Sequence, residues 1–339
     1  MAVGYGNLDS YVKGLLAGAD IGQTHYMVDS DYRTAAQGWS RADRTGPLDL
    51  YEARKVNSGG SNIVFRTADY GSDALALQAA NDAMVDFRGD VLVLTPGDYS
   101  AATAVTIDVP DARWIGRPVG HATQASATLT AGVAAAFAVG AAADRFEVGY
   151  LRLVPFTAES MFAIADGANN QYFHNFFYDA RGVASSTATQ MVLAAGAMDA
   201  SVFTDFIFMT DDAQGPLIEL DGTTVGLLIQ NFLHIHTGDT LVISLLDIDG
   251  AGSTGITVGP GHGQIGGTDG AVTNLIAAVD LTHAATNFTL RQFTGSVGYS
   301  TTAVVIEAAT GVAAEGDIVD SWIATIAGGA GRAAYVGTS

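Results

Sequence analysis

A spacing repeats along the middle of this chain. The segments EVGYLRL (147–153), HNFFYDA (174–180), TDFIFMT (204–210) and QNFLHIH (230–236) each set Gly149, Asn175, Asp205 or Asn231 just ahead of an apolar run, at steps of 26, 30 and 26 residues. A second set keeps the same beat: FAVGA (137–141), FAIADG (162–167), VLAAG (192–196) and IELDG (218–222). Farther on, NFTLRQF (287–293) and GDIVDSWIATI (316–326) extend the series, with IEAATG (306–311) in the glycine-turn role. Two matched segments recurring at a fixed period signal a solenoid, in which each repeat is one coil and neighbouring coils bury each other. The runs are short, rich in Val, Ile, Phe and Leu, and lack the helical pattern of roughly 10–15 residues that a parallel sheet with crossover helices needs. The expected class is all-β, a parallel β-helix with two or three strands per coil stacked about 4.8 Å apart. Gly149, Asn175, Asp205 and Asn231 are the expected turn positions, because Gly, Asn and Asp tolerate the left-handed backbone of a sharp turn. Asn175 and Asn231 are expected to stack and exchange side-chain hydrogen bonds along the rod.

The stretch GSDALALQAANDAMVDFRGDVLVLTPGDYS (71–100) changes character in its middle. Asp73–Met84 has the spacing of a helix, with Leu75, Leu77, Ala79, Ala80 and Met84 toward one side. Val91–Leu94 reads as a short buried strand, followed by a turn at Pro96 and Gly97 and then Tyr99. A first coil exposes an apolar cross-section and unpaired strand groups, so it needs a cap. This helix, strand and Pro-Gly-x-Tyr turn resemble the start of the right-handed parallel β-helices of the pectate-lyase-like superfamily. The resemblance spans roughly residues 64–326 and implies a right-handed coil with a capping helix. It implies no single activity, since that superfamily includes lyases, hydrolases, epimerases and viral spikes. Three regions are expected. Residues 1–62 form an extended attachment arm, with a short helix at 7–19 capped by Asp9 or Ser10. Residues 63–100 form the helix-capped opening, and 101–339 the β-helix body and C-terminal cap.

Charge separates the arm from the body. The chain carries 35 acidic and 15 basic residues, a net −20, and its only lysines are Lys13 and Lys55. Residues 1–70 hold 8 acidic and 7 basic residues, leaving 27 acidic and 8 basic for 71–339. So acidic a body repels nucleic acid and anionic membranes, and neither is expected as a partner. The lysine-poor acidity suits a high-salt, halophilic setting. The absence of cysteine excludes disulfides and thiolate metal sites. The first twenty residues lack the features of an export signal, and no apolar run reaches the roughly 18 residues of a membrane helix. Synthesis in a host cytoplasm is therefore expected.

Several residues carry candidate chemistry. Asp205, the pair Asp211–Asp212 and Gly261-His262-Gly263 resemble the motifs of polygalacturonases in the same superfamily, which place Asn-Thr-Asp, Asp-Asp, Gly-His-Gly and Arg-Ile-Lys on successive coils. That resemblance implies Asp205, Asp211, Asp212 and His262 as catalytic residues, with paired carboxylates working as acid and base. This chain departs from the pattern. Phe203 stands where Asn belongs, His262 lies 50 residues after Asp212, and no lysine follows Lys55. GPGHGQIGG also reads as a flexible loop. His234 and His236 alternate on one strand and so face the same way. Trimeric viral spike tips can ring one metal ion with such a pair from three chains, while a stacked or solvent-facing pair is the simpler reading. Asp247 and Asp249 could touch a cation with loop carbonyls, or simply form a polar turn. Beyond Arg117, arginines occur at 145, 152, 181, 291 and 332, too scattered to grip a polyuronate. The aromatics of YFHNFFYD (172–179) suit strand packing, a subunit interface or a sugar.

No complete catalytic set emerges, and no cofactor or metal is expected. The expected role is that of a non-enzymatic structural protein of a tailed-virus particle. It would be a capsid turret or decoration protein, homo-oligomeric and trimeric, displayed on the particle surface. Residues 1–62 would contact the major capsid protein or other virion proteins. The alternatives are a receptor-binding tailspike, which binds host surface glycan with or without cleaving it, and a free polysaccharide lyase or hydrolase.

Overall fold

The repeated segments become stacked strands. The computed structural model describes residues 25–29, 62–116, 127–156, 160–183, 191–211, 215–236, 245–265, 279–281, 285–286, 288–298, 306–308, 316–319, 322–326 and 335–336. Two parallel sheets run along the molecule, one of 18 strands and one of 9, with a small third pair at Ser253–Thr254 and Ala285–Thr286. The second set of repeats is the nine-stranded sheet. Phe137, Phe162, Val192, Ile218 and Leu246 stand directly above one another in its register. The first set lies in the 18-stranded sheet, where each coil supplies two short strands or one long bent strand such as Val202–Thr210 or Leu228–His236. The fold is a parallel β-solenoid of the all-β class.

The opening explains why a helix precedes the first coil. The helix Asp73–Asp82 begins at Ser72, whose hydroxyl accepts from the Leu75 amide at 3.2 Å. It buries Ala74, Ala76, Leu77, Ala80 and Asn81, with Met84 just beyond. Leu75, expected on the buried side, is instead 53 % exposed. The alanines let the helix lie close over the coil, and that rotates Leu75 outward. The helix also supplies hydrogen bonds. Val105–Ile107 is the end strand of the nine-stranded sheet. Gln78 Oε1 accepts from the Thr106 amide at 2.7 Å, while Asn81 Nδ2 donates to the Thr106 carbonyl at 3.1 Å. Asp73 accepts from the Ser100 amide at 2.8 Å on another edge strand, Gly97–Ala101. Side chains thus replace the missing coil and satisfy edge groups that would otherwise recruit another chain.

The stretch expected to be an arm contributes to the body. His25–Asp29 is a strand of the main sheet, paired in parallel with Asn62–Arg66 on one side and Val91–Leu94 on the other. The short helix expected at 7–19 lies outside the described residues.

The interior is filled by aromatic rings in register. Phe173 stacks on Phe203 at 4.8 Å and 2°, Phe176 on Phe206 at 4.8 Å and 3°, and Phe206 on Phe232 at 5.5 Å. Trp114 meets Phe137 and Phe146 edge-on at the N-terminal end. Removing each such side chain from water contributes on the order of 1.5–3 kcal/mol. The column continues past Gly261, where a Cβ would lie 2.2 Å from the Phe232 ring.

Candidate functional site

In five coils the sharp corner is formed by one non-glycine residue in the left-handed region. These residues are Tyr150 (φ 57°), Asn175 (50°), Asp205 (57°), Asn231 (52°) and, later, Gln292 (47°). Three of the four expected turn positions are therefore corners, but Gly149 is not. It lies within the strand Glu147–Gly149, in register with His174, and the corner falls one residue later. Gly149 is needed for a different reason. A Cβ there would come within 2.4 Å of the His174 ring, which lies folded over it. Asn175 and Asn231 do not stack directly, because Asp205 occupies the corner between them.

That folded imidazole is the centre of a network joining three coils. His174 Nε2 donates to Glu147 Oε1 at 3.0 Å, and its Nδ1 lies 2.9 Å from the Asn175 side-chain oxygen. Arg113 grips the same carboxylate from the coil before, through Nε at 2.5 Å and Nη2 at 3.1 Å. Burial pushes the Glu147 carboxyl up, but the hydrogen bonds from His174 and Arg113 outweigh it and hold the group below its usual range. Tyr172 stacks on His174 at 4.5 Å and 18° and is 39 % exposed, while Tyr150 meets the imidazole edge-on. Partial burial, then the nearby Glu147, Asp205 and Tyr150, raise the Tyr172 hydroxyl, so it does not serve as a ready base. Sequence reasoning missed this group. Arg113 and Glu147 are 34 residues apart and Glu147 and His174 are 27 apart, so only the coil register brings them together.

The residues expected to act as a hydrolase set are spread out. Asp205 stands exposed at its corner and accepts from the Thr204 hydroxyl at 3.0 Å. Asp211 lies past the far end of the same strand and accepts from the Gly182 amide through both oxygens at 3.0 Å. Asp212 lies outside the described residues. His262 is exposed on the strand Gly261–Ile265, where a loop was expected. It stands above Leu233, which stands above Ile207, so it is two coils, about 10 Å, from the strand bearing Asp205. The structure does not bring Asp205, Asp211 and His262 to one point.

His234 and His236 face the same way, into the rod. They are 3 % and 2 % exposed. His234 stacks on Phe208 at 4.4 Å, and its Nε2 has no hydrogen-bond partner. His236 Nδ1 lies 2.8 Å from the Thr210 hydroxyl. Burial, helped by the neighbouring His236, pushes His234 down to about 3, so it is neutral at ordinary pH. Outside the rod, Arg152 and Arg181 both bind Asp179 and lie over the Phe177 ring at 5.8 and 5.7 Å. Burial raises the Asp179 carboxyl, but its hydrogen bonds from Arg181 and Arg152 bring it below the usual range.

Asp247 and Asp249 belong to an acidic ladder on the nine-stranded sheet. Glu219 and Asp247 are direct neighbours in its register, which continues at Asp280 and Glu307. Carboxylate oxygens of Glu219, Asp221 and Asp249 lie within 4.8 Å of one another. These are oxygen donors of the kind hard cations accept.

Among the described residues no helix is long and apolar enough to cross a membrane. No protein-family model and no curated protein matches the chain. Among solved structures it is similar to ORF18 of Geobacillus virus E2, with a TM-score of 0.33 and 8 % identity over 90 % of this chain and 75 % of that one. A likeness of that size decides neither partner nor activity.

Proposed function

We propose that this chain is a structural component of a virus particle, a rod anchored at its capped end and projecting an acidic body, as a turret or decoration on a capsid shell. One observation carries the reading. The strand His25–Asp29 is built into the sheet beside the opening coil. A strand from within the near-neutral first 70 residues thus lies at one end of the rod, while almost all of the chain's net −20 belongs to residues 71–339. A rod with one chemically distinct end suits attachment at that end. The ionisable groups described above also favour a structural role. Asp179, Glu147 and Asp211 are taken up by arginines, an imidazole or a turn amide, which stiffens the coils.

The strand at His25–Asp29 also sets the test. Removing residues 1–62 would tear it from the sheet, so the informative truncation removes 1–24. That chain should still melt cooperatively, yet be missing from purified particles made in cells that express it in place of the full chain. Truncated chain at full occupancy would sink the attachment role. The proposed role is also non-enzymatic: the purified chain should leave host surface glycans at full length. Shortening of those glycans that disappears in Asp205→Asn or Asp211→Asn would replace it with a hydrolase.

A further inference from the structure

We propose that the outward face of the 18-stranded sheet at Phe177–Asp179, Val202–Thr210 and Leu228–His236 is the surface on which a second copy of this chain docks. Alternation along these strands sends Tyr178, Phe208 and His234 inward, where all are buried. Their neighbours point outward in two columns. Phe177, Ile207 and Leu233 stand in register in one, and Asp179, Met209 and Ile235 in the other. Apart from Asp179 these columns are apolar, and Phe177 and Ile207 are already covered within the chain, at 4 % and 8 % exposed. Met209, Leu233 and Ile235 are partly exposed.

The last strand is the most telling. In FLHIH (232–236) the imidazoles go into the rod and the aliphatic Leu233 and Ile235 go out. Polarity is reversed relative to a sheet with one wet face. A slip of one residue would return both histidines to water and bury both aliphatics. A strand that resists this slip behaves like one covered on both faces, where parallel strands read as continuous apolar runs. The inner cover is the rod's own core. The outer cover at Leu233 and Ile235 is the second copy.

Charge selects that occupant. The chain carries a net −20, so a like-charged copy can approach closely only over a surface with little acidic excess. Here Arg152 and Arg181, 44 % and 42 % exposed, offset Asp179 and the nearby Asp211. With the exposed Asp205 at the corner of the same strand, the patch carries a net charge of only about −1. The opposite choice, the nine-stranded sheet, would set the ladder of Glu219 and Asp247 against its equivalent. A stable interface buries roughly 800 Å² per partner, and its binding energy concentrates in a central apolar cluster. Met209, Leu233 and Ile235 supply that centre, and the exposed His262 on the following coil begins the rim. A free-standing protein could associate in the same way, so the docking face stands independently of the particle role.

The experiment is sedimentation of the full chain in about 1 M salt, where repulsion between copies is screened. The wild type should run as an oligomer. Leu233→Glu and Ile235→Glu should weaken association at least about tenfold while keeping the wild-type circular dichroism and melting temperature. Leu193→Glu, at an outward position of the nine-stranded sheet, should leave the mass unchanged. The chain has no cysteine, so Leu233→Cys introduces a unique thiol. A short bismaleimide should join its copies, and should not join copies of Leu193→Cys. A wild type that stays monomeric well above micromolar concentration overturns the proposal, as do folded Glu variants of unchanged mass. If the Glu variants fail to fold, the crosslinking arm decides: joining through residue 193 but not 233 places the contact on the other sheet.

Discussion

The nine-stranded sheet is one architecture with two outer surfaces. At the middle position of each strand, the N-terminal coils place Thr106, Ala138, Ala163 and Leu193 in one outward column. The same column continues as Glu219 and Asp247, with Asp280 and Glu307 next in backbone register. The flanking inward residues do not change in kind: Phe137 and Val139, Phe162 and Ile164, Ile218 and Leu220, and Leu246 and Ile248 are all buried. The interior and the backbone ladder therefore make a coil, and the outward column is free to vary. In-register stacking then repeats at every coil whatever chemistry the column carries. Neutral side chains stack harmlessly, whereas carboxylates meet a like charge at each step.

The largest expected effect comes from breaking what the two halves share. Phe203 is fully buried and stacked on Phe173, just before the outward column turns acidic. Phe203→Ala should cost about 3–5 kcal/mol, the range for deleting a packed aromatic ring. The loss should be equal in dilute and molar salt, because no charge is involved. Denaturant unfolding at both salt levels measures it. A loss that depends strongly on salt would mean the halves are not supported by one common interior.

Acid should separate the halves in a defined order. In the C-terminal half, His234 is pushed from 6.5 to about 3 by burial and by His236. The unfolded chain takes up that proton below 6.5 and the folded chain does not, so folding stability falls as pH drops through the window from 6.5 to about 3. The fall is about tenfold in the folding equilibrium per pH unit. In the N-terminal half, Glu147 is held below its ordinary 4.5 and Asp179 below its ordinary 3.8. Their contribution is complete above those values and is lost only as pH falls past them toward the lower folded values. Hydrogen exchange should therefore show the coil at Leu228–His236 losing protection first, beginning below about 6.5, with the Glu147 region following below about 4.5. His234→Phe should flatten the first phase and leave the second. Simultaneous loss in both regions would remove the distinction.

How much of this was readable beforehand depended on whether a feature lies within one coil or between coils. FAVGA, FAIADG, VLAAG and IELDG were readable as matched strands because each carries its own apolar run and glycine, and all four fall in one register. Gly149 was misread because glycine has two uses. The chain suggested a turn, and the actual demand is clearance beneath the imidazole of His174, one coil later. Leu75 was misplaced because a helix buried mainly through alanines has an ambiguous apolar side. His234 and His236 could be paired but not assigned to the interior, since a strand with aliphatics between histidines has no obvious phase. The Arg113–Glu147–His174 network left no local signal at all, because its spacing is set by coil length and not by any motif.

The smallest expected effect tests the column itself. Two unit charges about 4 Å apart in water repel by about 1 kcal/mol, and strand spacing is only slightly larger. The stacked pair Glu219 and Asp247 should cost roughly 1 kcal/mol in dilute buffer. Screening shortens from about 30 Å at 0.01 M to about 3 Å at 1 M salt, so most of that cost should vanish over this range. Asp247→Asn, which removes a rung with neighbours on both sides, should take away most of the salt slope of unfolding. The comparison can then be run in reverse. Ala163→Glu in the neutral half should change stability by less than about 0.5 kcal/mol and add no slope, because its neighbours Ala138 and Leu193 carry no charge. Adding Ala138→Glu should produce an unfavourable coupling of about 1 kcal/mol at low salt that disappears at high salt. If the double variant is additive, or if Asp247→Asn keeps the full slope, salt acts on the chain's net charge as a whole and the stacked column has no special part in it.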